Sequence, residues 1–333
     1  MDASSCDTDR WPRAAGRRRS ARAGVLRGST AAAVALGLLA GGCSAGASRS
    51  AAGVSGVAGL VSAVGAENQY ANVLGQIGGR YVRVEAILSN PNTDPHTFES
   101  SPAVAEEVSS AQIIVQNGAG YDGFMNKIES ASPAAGRRII VVQHLLGLPD
   151  DTPNPHLWYD PRTMSATARA MASDLSALQP RHASYFQANL GAFDSSLQPW
   201  DQAIAGFRAQ HAGAAVATTE PVADFLLQAM GMDNLTPFGF QADVMNGVDP
   251  SPQDVSLEDG FLSGHRVKVF CYNQQVVDAL TSSIRATAER ARIPVVAVYE
   301  TMPTPGFTYQ TWMLAEVTAI TKAVDDGLST ERL

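Results

Sequence analysis

The run FQANLGAFDSSLQPWDQAIAGF, residues 186–207, places apolar side chains at Phe186, Leu190, Phe193, Leu197, Trp200, Ile204 and Phe207. Their spacing alternates four and three, which puts them in one stripe along an α-helix. With its flanks the pattern covers about 25 residues, or ~37 Å at 1.5 Å per residue, longer than an ordinary crossover helix. It reads as a linking helix, 181–210, that acts as a strut between two lobes. Pro199 lies inside it; a missing backbone donor and a clash with the preceding turn predict a kink there.

On either side of this helix short β-branched or apolar runs alternate with helical patterns, as expected of βα units and parallel sheets. The first lobe, 55–180, has apolar runs near 56–65, 81–88, 111–116 and 138–143, with helices near 67–78, 102–109 and 121–129. Asp160-Pro161 then caps a helix whose Met164, Ala168, Met171, Leu175 and Leu178 line one face. The second lobe, 211–333, has strands near 214–219, 234–238, 267–272 and 295–299 and helices near 221–230, 252–263, 276–292 and 309–326. No period of 20–50 residues is visible, which argues against a solenoid or propeller.

The N-terminus has a different character. Seven arginines precede the apolar run Ala31 to Gly42, which ends at Cys43. A dozen apolar residues are too few for a permanent span, which needs ~20, so 1–42 reads as a signal peptide. Leu39-Ala40-Gly41-Gly42-Cys43 looks like a lipobox, in which the Cys is acylated and becomes the new N-terminus, although Ala40 stands where Leu is usual. Cys43 is therefore the expected lipid attachment point, and the Ser/Ala/Gly-rich segment 43–54 a flexible tether.

Removing 1–42 takes away seven basic and three acidic side chains and leaves 17 basic against 29 acidic. An acidic surface attracts cations and argues against nucleic acid as a partner. Beyond Cys43 the exported chain retains only Cys271, so no internal disulfide holds it.

Four segments place metal-type ligands at strand ends, the edge where open α/β sheets bind ligands. His96 lies in Asn90-Pro91-Asn92-Thr93-Asp94-Pro95-His96, and His156 in Asn154-Pro155-His156-Leu157-Trp158. A lone His is more often a surface or core residue than a ligand. Two Pro-His pairs in comparable loops of one lobe are hard to ascribe to packing, and neutral imidazole is the commonest metal ligand. The second lobe offers Glu220, where strand 214–219 meets a helix, and Glu300, where the last strand ends. Taken singly, Glu220 also fits a helix-start carboxylate and Glu300 a solvated loop acid. Together, two imidazoles and two carboxylates make a four-ligand set of charge −2 that neutralises a divalent cation.

His144 reads as a strand-end residue, His182, His211 and His265 as solvated, Cys271 as a core thiol, and Trp158 and Trp312 as packing residues. Ser251 with Pro252 reads as a helix start.

The chain resembles the zinc- and manganese-binding solute receptors of ABC importers, the cluster A-I or cluster 9 family that includes the streptococcal adhesin lipoproteins. The likeness is carried by Ala66-Glu67-Asn68-Gln69-Tyr70, Ile77-Gly78-Gly79, Asp94-Pro95-His96, Asn117-Gly118-Ala119-Gly120-Tyr121-Asp122, Asn154-Pro155-His156 and Thr308-Tyr309. It implies two α/β lobes with parallel sheets, joined by a single rigid helix, with one metal ion in the cleft. His96 and His156 match the family's first two ligands and Glu220 its third. The fourth is commonly an Asp before the Thr-Tyr pair; Glu300 is the only acid in that loop here and takes the role. The resemblance also implies delivery to an ABC permease with its ATPase, by a receptor expected to act as a monomer outside the cytoplasm.

Zinc-specific members often add a third His and a His-rich loop, and residues 97–120 contain no His. The donor set suits manganese as well as zinc, but zinc outcompetes manganese at most such sites, and the surroundings of Glu300 resemble zinc receptors more. Zinc is the expected ion, manganese the alternative. A metal-dependent hydrolase would need an open coordination position and a general base, as in His-Glu-x-x-His, and that motif is absent. An adhesin using the same scaffold would not require His96 or His156.

Overall fold

The computed structural model describes residues 59–90, 96, 98–303 and 305–333. The signal peptide, Cys43 and the tether to residue 54 lie outside the described residues. Two four-stranded sheets follow one another along the chain. In the first, β1 (Val61–Glu67), β2 (Val82–Leu88), β3 (Ile113–Gln116) and β4 (Arg138–Val141) alternate with α1 (Asn68–Gly78), α2 (Pro102–Ser110), α3 (Gly123–Ala131) and the short α4 (Val142–Leu145). Then come α5 (Pro161–Leu178), α6 (Ala183–Ser196) and α7 (Gln198–His211). The second sheet is built from β5 (Ala215–Thr218), β6 (Asp233–Asn234), β7 (Val269–Asn273) and β8 (Val295–Val298). Its helices are α8 (Asp224–Ala229), α9 (Phe238–Met245), α10 (Pro252–Ser263), α11 (Ala279–Arg290) and α12 (Tyr309–Asp326).

All strand pairs are parallel, and the order is the same in both sheets: β2-β1-β3-β4 and β6-β5-β7-β8. Strands β3, β7 and β8 are buried at every position, as parallel strands covered on both faces must be. The strand order reverses between β1 and β3 and again between β5 and β7. Crevices open at these switch points, beyond the carboxyl ends of the strands.

The helical pattern read over 181–210 is divided into two helices just before Pro199. Helices α6 and α7 are separated by Leu197 alone, which keeps helical dihedrals (φ −79°, ψ −20°), and Pro199 sits in the first turn of α7. The strut is packed rather than free-standing: α6 lies against α1 and α5, and α7 against α12. One apolar core runs through both lobes, from Tyr70 and Trp158 by way of Phe193 and Trp200 to Trp312 and Val296. Caps define the helix starts: Asp160 accepts from Arg162 N ahead of α5, Ser251 from Asp254 N ahead of α10, and Thr308 from Thr311 N ahead of α12.

Some boundaries differ from the sequence reading. The run 138–143 ends as a strand at Val141, because Val142 already starts α4. The strand expected at 234–238 is only Asp233–Asn234, and Pro237, pre-set for a helix entry, leads into α9 instead. His211 is not solvated: its Nε2 lies 2.9 Å from Asp325 and its side chain is 23% exposed. His182 stacks on Tyr81 at 3.7 Å.

Helix α12 and the loop before it tie the lobes together. Tyr309 OH donates to Trp158 O at 2.6 Å, and Tyr309 N donates to Asn72 Oδ1 at 3.0 Å. Asn68 exchanges two bonds with Met302, its Nδ2 donating to Met302 O (2.8 Å) and its Oδ1 accepting from Met302 N (2.9 Å). Deeper in, Glu316 accepts from Trp312 Nε1 and Tyr159 OH, and burial pushes its carboxyl up to about 8. The Tyr159 hydroxyl also bonds the backbone of Tyr299, which fixes the chain one residue before Glu300.

Candidate metal centre

Among the described residues, His96, His156 and Glu300 come together, with one ligand atom from each lying within 4.8 Å of the others. They arrive from three loops. His96 follows β2, His156 follows α4, and Glu300 lies two residues past β8. Glu300 Oε2 is the meeting point, 3.1 Å from His96 Nε2 and 3.5 Å from His156 Nε2. The Tyr121 hydroxyl donates to the same oxygen at 3.0 Å.

Neighbouring amides settle which nitrogen of His156 faces the cleft. Asn154 Oδ1 accepts from the His156 backbone N at 3.0 Å and lies 2.8 Å from His156 Nδ1. Asn154 Nδ2 donates across the cleft to Pro221 O at 2.8 Å, which fixes the amide orientation. Nδ1 is therefore the protonated nitrogen, and Nε2 presents its lone pair. That Nε2 is fully buried and has no hydrogen-bond partner among the described residues. An orphaned imidazole nitrogen aimed at a carboxylate oxygen fits a cation as the missing partner. Trp158 and Tyr121 wall the ring edge-on, at centroid distances of 5.4 and 5.9 Å.

The groups differ in access and in charge state. The side chains of His156 and Glu300 are 0% exposed, whereas that of His96 is 22% exposed and marks the solvent side. Burial lowers the His156 pKa, partly offset by the negatively charged Glu300 carboxylate beside it. For Glu300, burial opposes ionisation, but the two imidazoles beside it, when protonated, hold the carboxyl well below its usual range.

The loop carrying Glu300 is held from both lobes. Gln275 Oε1 accepts from Glu300 N (2.6 Å) and Thr301 N (2.9 Å), and Gln69 Nε2 donates to Glu300 O at 3.3 Å. Glu220, 2% exposed, is not within the three-residue group; the Asn273 amide joins it to Glu300. It does not start a helix either, since α8 begins at Asp224. His144 is on the surface, 3.8 Å from Asp150, and Cys271 is buried in β7. The sequence reading assigned no role to Tyr121, Asn154, Asn273 or Gln275. The local trace of Asn273 is only that of a polar residue ending the buried strand Val269-Phe270-Cys271-Tyr272-Asn273.

Comparison with known proteins gives a family match over most of the chain. The family model described as zinc-uptake complex component A, periplasmic (ZnuA) matches residues 64–323. The manganese-binding lipoprotein MntA of Bacillus subtilis (strain 168) is 25% identical over 141 residues, 40% of this chain and 46% of that protein. The chain thus spans about half or less of the length of the curated relatives it matches. Among solved structures, the laminin-binding adhesin Lmb of Streptococcus agalactiae superposes with a TM-score of 0.67 at 17% identity, covering 80% of this chain and 100% of that one. The zinc-binding protein TroA of Treponema pallidum gives 0.65 at 18%, covering 82% and 100%. At these identities the two superpositions establish the fold alone. Among the described residues no helix is long and apolar enough to cross a membrane.

Proposed function

We propose, from the premise that the chain belongs to the family of periplasmic zinc-uptake component A, that it captures a divalent transition metal outside the cytoplasm and delivers it to an ABC permease. The observation that carries this reading is the convergence of His96, His156 and Glu300 around a buried imidazole nitrogen, that of His156, with no hydrogen-bond partner among the described residues. The metal is cargo. His96 and His156 supply two imidazoles and Glu300 one carboxylate; Glu220, one amide away, completes the set. The four ligands carry charge −2 and balance the ion. Two nitrogens and two carboxylate oxygens suit tetrahedral zinc, and zinc stands above manganese in intrinsic affinity, so one zinc per chain is the favoured cargo. The family description is one of uptake rather than of a reaction, and this reading assigns the site no turnover.

Metal analysis of protein purified without chelator, followed by competition between zinc and manganese, tests this. One equivalent of zinc, displaced by manganese only in large excess, is the expected outcome; metal-free protein that takes up neither ion overturns the reading.

The same reading places the chain on the membrane surface through Cys43, partnered by the permease and its ATPase and itself a monomer. Cys43→Ser is expected to shift the protein from the membrane fraction to the soluble one or to block its maturation. Unchanged fractionation and unchanged mass would remove the anchor from the proposal.

A further inference from the structure

Strand β7 ends at Asn273, which is fully buried at the switch point of the second sheet. Its backbone N donates to Thr219 Oγ1 at 3.1 Å, and its Oδ1 accepts from Gln275 N at 2.9 Å. With the carbonyl oxygen committed to that donor, the amide has one orientation, and its Nδ2 faces the cleft. It donates to Glu300 Oε1 at 2.7 Å and to Glu220 Oε1 at 3.1 Å. Two amide hydrogens thus serve two carboxylates, one each.

We propose that Asn273 is a positioning residue that sets metal specificity: by tying down one oxygen of Glu220 and one of Glu300, it leaves each carboxylate a single oxygen for the ion. The inference rests on the metal-receptor reading above and names the device that would make that site favour zinc. A carboxylate presented through one oxygen counts as one ligand. Two imidazoles and two such carboxylates make four, the number that tetrahedral zinc takes, whereas manganese favours a six-coordinate, oxygen-rich shell that bidentate carboxylates help to fill. The arrangement at Glu300 already has this form, with Oε1 on Asn273 and Oε2 toward the imidazoles.

No close replacement does the same work. Aspartate in this place offers no donor and adds a third negative charge. Leucine has the shape without the donors and leaves both carboxylates free to swing. Glutamine adds a methylene at a fully buried position, which moves its amide from the place of the asparagine amide.

The test compares zinc and manganese affinities, each measured by competition, in wild type and Asn273→Leu, together with the absorption spectrum of the cobalt(II)-loaded protein. Outer partners of metal ligands typically change affinity by about 10–100-fold. Zinc binding is expected to weaken within that range while manganese binding changes less, so the zinc-over-manganese ratio falls at least about tenfold. The cobalt absorption should lose intensity as the coordination number rises above four. A residue of merely structural importance would weaken both metals alike and leave the spectrum of bound cobalt unchanged; that result, or an unchanged ratio, overturns the proposal. Should Asn273→Leu fail to fold, Asn273→Ser removes the bridging amide without apolar bulk and is read by the same ratio. Wild-type protein that binds neither metal sinks the receptor reading itself, whereas tight wild-type binding with an unaltered ratio in the variant sinks only the role of Asn273.

Discussion

Glu300→Gln is expected to bind zinc at least about a hundredfold more weakly than wild type, the largest single loss at the site, because loss of a ligand exceeds the 10–100-fold typical of its outer partners. Glu300 Oε2 is the atom on which His96, His156 and Tyr121 all converge. Glutamine keeps the size of the side chain but lowers the ligand charge from −2 to −1. Its amide also turns a donor toward groups that are donors themselves, the Tyr121 hydroxyl and the Asn273 amide. Alanine is the less informative choice. It leaves those buried donors unsatisfied, at ~1–3 kcal/mol each, and so mixes loss of stability with loss of binding. His156→Ala should approach the same loss, since that imidazole is fully buried and held by Asn154. His96→Ala should cost less, because its side is open to solvent and water can take the vacated position. Calorimetric titration of the three variants checks the ranking. A Glu300→Gln protein that binds zinc as tightly as wild type would show that Glu300 is not a ligand.

The parts of the site that the sequence makes legible share one property, a short local pattern. The two Pro-His pairs declare themselves because each sits in a loop after an apolar run, and the structure brings both rings to one carboxylate. Glu300 is legible as the only acid in its loop, and it becomes the centre of the group. The groups that orient these ligands are not legible, because their partners are remote in sequence. Tyr121 meets Glu300 across 179 positions, and Asn273 meets Glu220 across 53. A tyrosine in a glycine-rich loop or an amide at a strand end is too common to assign without those contacts.

The fold divides in the same way. Long helices such as α5 and α12 carry two or more turns of periodicity and are read nearly to the residue. Four-residue α4 and eight-residue α9 do not span enough turns for a period to appear. The interruption between α6 and α7 at Leu197 is legible from Pro199, whose missing backbone donor is a covalent fact. The packing of the strut is different: which faces of α6 and α7 are covered depends on α1, α5 and α12, and the continuous core through both lobes is a tertiary fact.

Bound metal should stabilise the fold, and the effect should depend on pH through the imidazoles. Ligands come from loops of both sheets, so unfolding either half destroys the site, and an ion that binds only the native state adds about RT ln(1 + [M]/Kd). At free zinc a thousandfold above Kd this is ~4 kcal/mol, or roughly 8 °C in Tm for a chain of this size. Coordination requires neutral imidazoles, and an unperturbed imidazole titrates near 6.5. Burial lowers the pKa of His156, so protons begin to compete for it only at a pH below that of a free histidine, and binding should hold nearly constant from pH 7.5 to about 6.5. Below that the zinc-induced shift should shrink steadily and be small at pH 5. The metal-free protein has a separate dependence. The Glu300 pKa is depressed in the folded state, so the stability it contributes is full above the unfolded value of 4.5 and is lost as pH falls toward the folded value. Thermal melts with and without zinc at pH 7.5 and pH 5 follow the first effect, and a metal-free melt at about pH 3.5 follows the second, which appears without metal and only below the unfolded value. A Tm indifferent to zinc at pH 7.5 counts against the receptor reading as a whole, whereas an equal shift at both pH values would move the binding from His96 and His156 to carboxylates.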